Sequence, residues 1–389
     1  MYIKKPILII CSVFLVIATV VSTIAILNPF GFTAVGEFLD FCRLIRFVDS
    51  NYYKDIKKEE YFKSALDGVA FATEDVYTRF IWDDNVNEFM EDVSGNYQGV
   101  GLYLENNIDD DTIDVVSAIP GSPADEAGII SGDRILKIND VEYKGSQLSE
   151  ASAQIKGEKD TEVKITIKRA STGVTEDIVL VRREIKIRNV AGEMITKRVG
   201  KISISQFTAD VSEYFVEEYD KLIGQGMEQL IIDLRNNPGG ITDEAVEIAG
   251  LFIEEGKTVT YTLDKNKNRY DYVASDVSYD IPIVVLTNQG TASASEILTG
   301  ALKDYGLCYH IGEKTYGKGV VQGVYEASED SLLVITIARY YTPGGVCIHE
   351  NGIEPDLIVE MDIEKYTGLA NIKPEDDEQI NAAIEYFNK

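Results

Sequence analysis

The sequence predicts a multidomain α/β protein with helical segments at both ends and one transmembrane helix at its amino terminus. Two patterns predict this class. Short β segments separated by turns fill residues 99–184, and beyond them buried strands lead through glycine-containing loops into helix-like runs. A chain of 389 residues is also too long for one comfortable hydrophobic core. With 45% hydrophobic and 26% charged residues, the composition is that of a folded globular protein.

The charge balance of the chain limits its partners. Lys and Arg number 37 against 65 Asp and Glu, so the formal net charge is −28. A protein this acidic repels the phosphate backbone of nucleic acids. We therefore expect no nucleic-acid partner.

Cysteine and histidine are scarce. The four cysteines are too few for a disulfide framework and form no C-x-x-C pair that would suggest zinc or redox chemistry. One disulfide between Cys308 and Cys347 is conceivable, and free thiols are an equally open alternative. His310 and His349 are the only histidines, which excludes an H-E-x-x-H site and leaves any Ser-His-Asp triad two candidate bases. A hydrolase with this sequence is expected to use another base.

The amino-terminal segment is apolar from residue 6 to residue 27 and follows Lys4 and Lys5. As a helix it would span roughly 30 Å, the hydrocarbon thickness of a bilayer. Because no small-residue cleavage site follows the run, an uncleaved anchor is favoured over a cleaved signal peptide. The two lysines place the amino end in the cytoplasm. We therefore expect a single-pass protein of the cell membrane whose residues 30–389 are extracytoplasmic.

Apolar spacing predicts the elements that follow. Residues 38 to about 94 have helical spacing, and the expected role of this region is to cover the larger domains or to pair two copies of the chain. Short β segments are predicted at 101–104, 112–116, 134–138, 163–167 and 178–181, and strands of the α/β core at 230–234 and 281–286. The predicted domains are an anchor at 1–30, a helical region at 31–95, a β-rich domain at 96–184, an α/β core at 185–365 and a helical tail at 366–389.

Two stretches of the β-rich domain resemble a PDZ domain. They are Y-Q-G-V-G-L at 97–102 and A-G-I-I-S-G-D-R-I-L-K-I-N at 127–139. In such domains a glycine-rich turn points backbone amides at a peptide's terminal carboxylate, while the peptide adds a strand to the sheet edge. The resemblance implies that Val100, Gly101 and Leu102 form this cradle. A PDZ domain alone would be a binding module, so the rest of the chain decides between enzyme and scaffold.

A serine follows the strand predicted at 281–286. The strand leads through a tight turn into a helix start at Ser293. Backbone amides converge at such a position, and the helix dipole favours a developing negative charge, which suits a nucleophile. The alternative is structural, because Ser293 and Glu296 fit S-x-x-E and could form a capping box.

A lysine lies between Gly317 and Gly319 in a moderately apolar stretch. The glycines leave room for the stem of Lys318 to pack against other backbone. Desolvation of a buried ammonium favours the neutral amine, which can accept a proton. A serine paired with such a lysine needs no histidine. The alternative is a solvated loop cation.

Together, T-A-S-A-S-E-I at 291–297 and G-K-G-V-V-Q at 317–322 resemble the carboxyl-terminal processing proteases, serine peptidases of family S41 that use a Ser-Lys dyad. The resemblance implies that Ser293 is the nucleophile and Lys318 the general base. It also implies that Gln322 orients the lysine by hydrogen bonding.

The segment I-D-L-R-N-N-P-G-G at 232–240 is similar to the loop of this family that supplies a glycine amide to the oxyanion hole. The resemblance implies Gly239, or less favourably Gly240, as one donor and Ala294 as the other. It further implies a crotonase-like β/α serine protease core that starts before residue 99 and resumes near Val199, so that the PDZ domain is an insertion.

Three positions qualify the resemblance. Lys314 is a nearby rival for the base, but it matches a family position outside the dyad. Thr291 stands where serine is common, and Lys156 stands where the family often has arginine. Neither departure changes a dyad residue. The second leaves open whether the PDZ domain signals to the core.

These implications predict a serine endopeptidase that cleaves extracytoplasmic proteins whose exposed, apolar C-terminal tails are captured by the PDZ domain. No metal or other cofactor is implied. The expected partners are such substrates, the membrane and a second copy of the chain. The alternative from another class is a catalytically inactive, membrane-anchored PDZ adaptor that binds tails. A trypsin-like PDZ protease is a weaker rival, because it would need His310 or His349 as its base.

Overall fold

The computed structural model of the chain describes residues 35–361, except 276–278 and 329, and residues 372–389, with the isolated positions 19 and 22. Within this part of the chain, no helix is both long enough and apolar enough to span a bilayer. The apolar run at 6–27 lies outside the described residues, apart from positions 19 and 22, and the membrane anchor stays a prediction. The chain divides into two compact units, 1–80 and 81–389.

The described part of the first unit is mainly helical. Helix α1 is Val35–Asn51 and helix α2 is Lys58–Phe71. Both are amphipathic in sequence, yet their large apolar side chains are more than half exposed at Phe38, Phe47, Phe62, Val69 and Phe71. The helical prediction for 38–94 holds for these two helices.

Strand β1 (Arg79–Trp82) corrects that prediction, because it interrupts the helical region before helix α3 (Asp84–Ser94). Its R-F-I-W sequence is rich in the aromatic and β-branched residues that favour strands. The side chain of Ile81 is buried and packs against Leu332 and Val334. Burial against a sheet therefore decides the conformation where apolar spacing alone predicts a helix.

An antiparallel ladder marks the limits of the β-rich domain. Strand β2 (Asn96–Gly99) pairs with a later strand at Arg183–Lys186. Between them lie β3 (Leu102–Asn107), β4 (Thr112–Ala118), helix α4 (Pro123–Glu126), β5 (Arg134–Ile138), β6 (Val141–Glu142), helix α5 (Leu148–Ile155), β7 (Glu162–Lys168) and β8 (Thr175–Val181). The strand Arg183–Lys186 is β9. All five β segments predicted for this domain are thus present.

The strands of this domain form one sheet in the order β3-β4-β5-β7-β8, with β6 paired to β5. Alternate side chains of β7 point to one face, where Val163, Ile165 and Ile167 are fully buried in the domain's own core. Strand β3 lies at the edge of the sheet and packs against α5. The edge is therefore open for one more strand on the side next to a helix.

The α/β core follows in a regular alternation. Its elements are β10 (Val190–Met194), β11 (Val199–Ile204), α6 (Val211–Gly224), β12 (Gln229–Asp233), α7 (Thr242–Gly250), β13 (Thr258–Asp264), β14 (Arg269–Val273), β15 (Ile283–Thr287), α8 (Ala294–Asp304), β16 (Cys308–Gly312), β17 (Val320–Ser328), β18 (Ser331–Tyr341), β19 (Leu357–Ile358) and α9 (Glu378–Phe387). Cys308 and Cys347 are both free thiols.

The main sheet of the core has six strands in the order β10-β11-β12-β15-β16-β19. All neighbouring pairs are parallel except β10 with β11. Every residue of β15 is buried, as expected for a central strand that is covered on both faces. This strand begins at Ile283, two residues later than predicted, directly after Pro282, which cannot donate to the ladder.

Helices cover both faces of the main sheet. One face packs against α6, α7 and α8 in the largest apolar cluster of the molecule's described part, which includes Phe215, Ile248 and Leu298. The other face packs against α9 through Ile380 and Ala383. The helical tail that the sequence predicts therefore closes the second face of the sheet. A separate five-stranded sheet contains β1, β13, β14, β17 and β18.

Candidate active site

The turn before α8 carries Ser293 at the carboxyl edge of the main sheet. Ser293 is the residue that precedes the helix, and its backbone has φ 56° and ψ −116°. A positive φ is costly for a residue with a side chain, and such positions persist where the surroundings fix them. Strands β12 and β15 are adjacent and parallel, so the loops that follow them meet at this edge, as ligand-binding loops do in open α/β sheets.

Hydrogen bonds join these two loops into one rigid piece. The Asn288 side chain accepts from the Asn236 amide and donates to the Asn236 side chain, both at 2.8 Å. The Thr291 hydroxyl donates to the Leu234 carbonyl at 2.8 Å. Thr291, which stands where serine is common in the family, therefore still provides a hydroxyl that makes a hydrogen bond. A third contact runs from the Ala292 amide to the carbonyl of Asn237 at 2.9 Å.

Gly239, and not Gly240, lies against the serine. A Cβ added at Gly239, where φ is 97°, would come within 2.7 Å of the Ser293 Cβ and 2.8 Å of the Ala294 nitrogen. A Cβ at Gly240 would instead strike the carbonyl of Phe207. Ala294 is the first helical residue, where an amide has no partner within the helix. The Gly239 amide donates to the Asn237 side chain at 2.9 Å, and this bond fixes the amide within its own turn.

Glu296 connects the serine turn to the lysine loop. Its carboxylate is fully buried in the first turn of α8. The Oε2 atom accepts from the Ser293 amide at 2.8 Å and from the Lys318 amide at 2.9 Å. The Oε1 atom accepts from the Gly317 amide at 2.7 Å and from the Thr315 hydroxyl. Because two amides share one oxygen, the backbones of Ser293 and Lys318 are held within about 6 Å of each other.

Burial has the largest effect on the pKa of Glu296. Burial raises the pKa of the carboxyl above its ordinary value, while the four hydrogen bonds favour the charged form. Both oxygens are occupied by donors from Ser293 and the lysine loop, so the carboxylate is engaged in holding backbone. The S-x-x-E pattern predicts only the contact between Glu296 and Ser293, and the bond from the Ser293 amide to the Glu296 carboxylate is present.

Lys318 lies in the loop between β16 and β17 and is partly buried. Its flanking glycines are required by close backbone packing. A Cβ at Gly319 would come within 2.1 Å of the His349 nitrogen, and one at Gly317 within 3.0 Å of the Gly352 nitrogen. Lys314 differs, because its side chain is half exposed and pairs with Glu354 at 2.7 Å. The backbone contacts therefore explain both glycines, and the packing of the Lys318 stem between them stays a prediction.

Gln322 lies on β17, four positions after the lysine. It is opposite Thr336 on β18, and its side-chain amide donates to the Thr336 hydroxyl at a long 3.5 Å. The register of the β17–β18 pair is shifted at this point, between Val321 and Gln322. An orienting bond from Gln322 to the lysine stays a prediction.

The two histidines give no support to a histidine base. His310 is fully buried on β16, where Nε2 contacts the Thr287 hydroxyl at 2.6 Å and Nδ1 contacts the Glu354 carbonyl at 3.2 Å. Burial, together with the nearby Lys303 ammonium, lowers the pKa of His310 to about 4. Among the described contacts, neither imidazole is hydrogen-bonded to Ser293.

The predicted peptide cradle lies at the start of β3. Val100 is fully buried, and its carbonyl accepts from the Ala124 amide at 3.0 Å. Gly101 has φ 81°, and a Cβ there would come within 2.2 Å of the Ser122 Cβ. Leu102 then opens the edge strand. The two residues before Leu102 are thus fixed by packing against the start of α4.

Lys156 follows α5 and contacts α3 outside the β-rich domain. Its ammonium lies 2.6 Å from Glu91 and 5.3 Å from the centre of the Tyr97 ring. The position where the family often has arginine therefore still carries a cation that joins the helix beside the edge strand to α3.

Comparisons with known proteins agree with this architecture. A family model described as peptidase family S41 matches residues 198–359, and a PDZ domain model matches residues 115–169. A carboxyl-terminal-processing protease of Synechocystis is 34% identical over 337 residues, which are 85% of this chain and 78% of the relative. A CtpA-like serine protease of Staphylococcus aureus is 38% identical over 333 residues, 85% of this chain. The chain spans 65% of the length of that relative.

A solved structure described as an S41 protease of Bacteroides fragilis shares the fold, with a TM-score of 0.55, 19% identity and coverage of 87% of this chain and 91% of that one. The fold is a mixed α/β S41-type core together with a PDZ domain. The motifs at 291–297 and 317–322 predict one family, and that prediction is confirmed. The chain belongs to peptidase family S41, among the carboxyl-terminal-processing proteases.

Replacing Glu296 by glutamine tests the role of the carboxylate. In the variant, the side-chain amide places N–H groups opposite two of the four groups that now donate hydrogen bonds to the carboxylate. We expect the Glu296→Gln protein to remain folded but to lose roughly 10²-fold in the rate at which it hydrolyses an activated ester, because the serine and lysine loops separate. Glu244→Gln is the matched control, since Glu244 accepts amides of Asp210 and Ser212. Equal rates in both variants would contradict the assignment.

The buried His310 predicts how stability depends on pH. Its pKa is about 4 when folded and near 6.5 when unfolded, so the unfolded chain binds the extra proton first on acidification. Stability is unaffected by this group above pH 6.5 and falls by about 3 kcal/mol as the pH drops to 4. Urea unfolding of wild type and His310→Gln across this range measures the difference. Parallel pH profiles for the two proteins would rule the effect out.

Proposed function

We propose that the chain is a serine endopeptidase that uses a Ser293–Lys318 dyad to cleave proteins recognised by their C-terminal tails. One observation carries the proposal. A single oxygen of Glu296 accepts the backbone amides of both Ser293 and Lys318, which fixes the two candidate groups on adjoining segments. The family membership supports the same assignment of reaction class.

In the proposed first step, the Lys318 amine accepts the Ser293 hydroxyl proton while the serine oxygen attacks the scissile carbonyl carbon. The lysine then gives this proton to the leaving amine, and an ester links substrate and Ser293. In the second step the lysine takes a proton from water, whose oxygen attacks the ester carbonyl carbon. The bond to Ser293 then breaks, the lysine returns the proton to the serine oxygen, and the new carboxyl terminus is released. The mechanism requires the neutral amine of Lys318, which desolvation of the ammonium would favour.

The oxyanion is assigned to the amides of Ala294 and Gly239. The Ala294 amide lies at the amino end of α8, where the helix dipole favours negative charge. The Gly239 amide would exchange its bond with the Asn237 side chain for one with the oxyanion. Such donors typically contribute about 10²–10³ in rate. Gln322 would orient the lysine from the adjacent strand.

Tail capture is assigned to the groove between β3 and α5. Strand β3 is the edge of its sheet and can accept an added strand. Leu102, Leu104 and Leu148 are half-buried around this groove and pack on the domain core. A C-terminal tail with apolar side chains matches that lining, and Val100, Gly101 and Leu102 would receive its carboxylate.

The proposed location rests on the sequence, and the proposed assembly rests on the exposed side chains of α1 and α2. We propose that residues 6–27 anchor the chain in the cell membrane with the core outside, because this run has the length and flanking lysines that such a segment needs. The exposed apolar side chains of α1 and α2 are consistent with pairing of two copies. Protease protection of the full chain in vesicles tests the first proposal, and sedimentation tests the second.

Turnover of an unfolded protein with an apolar C-terminal tail tests the dyad. We expect Ser293→Ala and Lys318→Ala each to reduce cleavage by at least about 10³-fold, because each removes a group that acts in both chemical steps. Lys314→Ala removes the same charge four positions away and should cleave like wild type. Equal cleavage by all four proteins would reject the dyad. Tail binding without any cleavage by wild type would favour the adaptor.

Binding of a labelled peptide with an apolar C-terminal tail tests the cradle. Gly101→Ala forces a Cβ against Ser122 and should weaken binding by about tenfold or more, the cost of a lost hydrogen bond to a charged group. Gly173→Ala is the control, because Gly173 also has a positive φ, 69°, but has open space around it. Fluorescence anisotropy measures both affinities. A peptide with an amidated terminus that binds wild type as tightly as the free acid would count against the cradle.

A further inference from the structure

A buried ion cluster joins α9 to the loop that carries Gly239. The Arg235 guanidinium donates to Asp233 through Nε at 2.8 Å and Nη2 at 2.6 Å, and to Asp377 through Nη1 at 2.8 Å. The side chains of Arg235 and Asp377 are each 4% exposed. The two residues are 142 positions apart, so the contact is a tertiary one.

The cluster is held in its ionised form. Burial opposes the charge on Asp233, but the adjacent guanidinium holds the pKa of that carboxyl below its ordinary value. Burial likewise opposes the charge on Arg235, yet the two carboxylates keep its pKa above the ordinary value. Desolvation cancels much of the attraction in a buried ion pair, so stability alone is a weak account of why such charges are present.

The position of Arg235 indicates what the cluster controls. Arg235 is the second residue after β12 ends, and Asn237 follows two residues later. Asn237 donates to the Ile204 carbonyl at 2.8 Å and accepts from the Gly239 amide at 2.9 Å. Its carbonyl accepts from Ala292, next to the serine. Arg235 thus stands at the start of a loop that is bonded to the serine turn two residues further on, at Asn237.

Asp377 has two roles that can be separated. Its Oδ1 atom accepts the amides of Gln379 and Ile380, both at 3.0 Å, and thereby caps α9. Its Oδ2 atom binds Arg235. Asparagine caps helices as well as aspartate does. An Asp377→Asn substitution therefore keeps the cap and removes the charge that Arg235 faces.

We propose that Asp377 is a positioning residue for the reaction, because its charge holds Arg235 and with it the loop that presents Gly239 to the oxyanion. The inference rests on the proposed function. It assigns to the carboxyl-terminal segment a part in turnover in addition to its packing on the sheet.

The experiment compares kcat and KM of full-length variants on the same unfolded protein, well below their unfolding temperatures. We expect Asp377→Asn to lower kcat about tenfold, with KM and tail affinity unchanged. Glu375→Gln, an exposed position with the same charge loss, should behave like wild type. Asp377→Ala should lose stability through the missing cap but lose no more kcat than Asp377→Asn. A wild-type kcat in the Asn variant, or activity losses that follow melting temperature, would overturn the inference.

Hydrogen exchange separates this inference from the proposed function. In Asp377→Asn we expect faster exchange of the amides at 234–241, by about tenfold, and no change in Glu375→Gln. If wild type and Ser293→Ala are equally inactive, the proposed function fails, and exchange alone then decides whether Asp377 holds the loop. Unchanged exchange in that segment would overturn the positioning role whatever the activity.

Discussion

The shared oxygen of Glu296 is the contact on which the geometry of the site depends. It accepts amides from two segments that leave different strands of the sheet, the turn after β15 and the loop after β16. A buried charge is expensive unless hydrogen bonds compensate for its lost hydration. Here every donor belongs to one of these two segments, so the compensation is available only when both are in place. The charge thereby selects one arrangement of the serine and lysine backbones.

The parallel sheet explains why these segments can meet. Strands β12, β15 and β16 are neighbours, and their carboxyl ends share one edge. Each following loop supplies one part: Gly239 after β12, Ser293 after β15 and Lys318 after β16. The side-chain amides of Asn236 and Asn288 bond to each other between the first two loops. The same three loops hold Ser293 at a positive φ, a backbone conformation that is costly for serine without such surroundings.

Much of the fold could be predicted because its signals are local. The buried runs of β12 and β15 and the short strands of the PDZ domain follow from apolar pattern and turn residues. The dyad candidates follow from motif resemblance. The missed features need long-range contacts: β1 is a strand because Ile81 packs on β18, and the Glu296 bonds to the 315–318 loop join residues about twenty positions apart. Arg235 and Asp377, 142 positions apart, leave no pattern in the sequence.

The ladder between β2 and β9 joins the two ends of the PDZ domain. Its first and last residues are cross-strand partners, with Asn96 opposite Lys186 and Gly99 opposite Arg183. Paired strands lie about 5 Å apart, so the chain enters and leaves this domain through two segments that run side by side. Replacement by a short hairpin would leave the core's chain path continuous, which is how such a domain can be gained or lost as a unit.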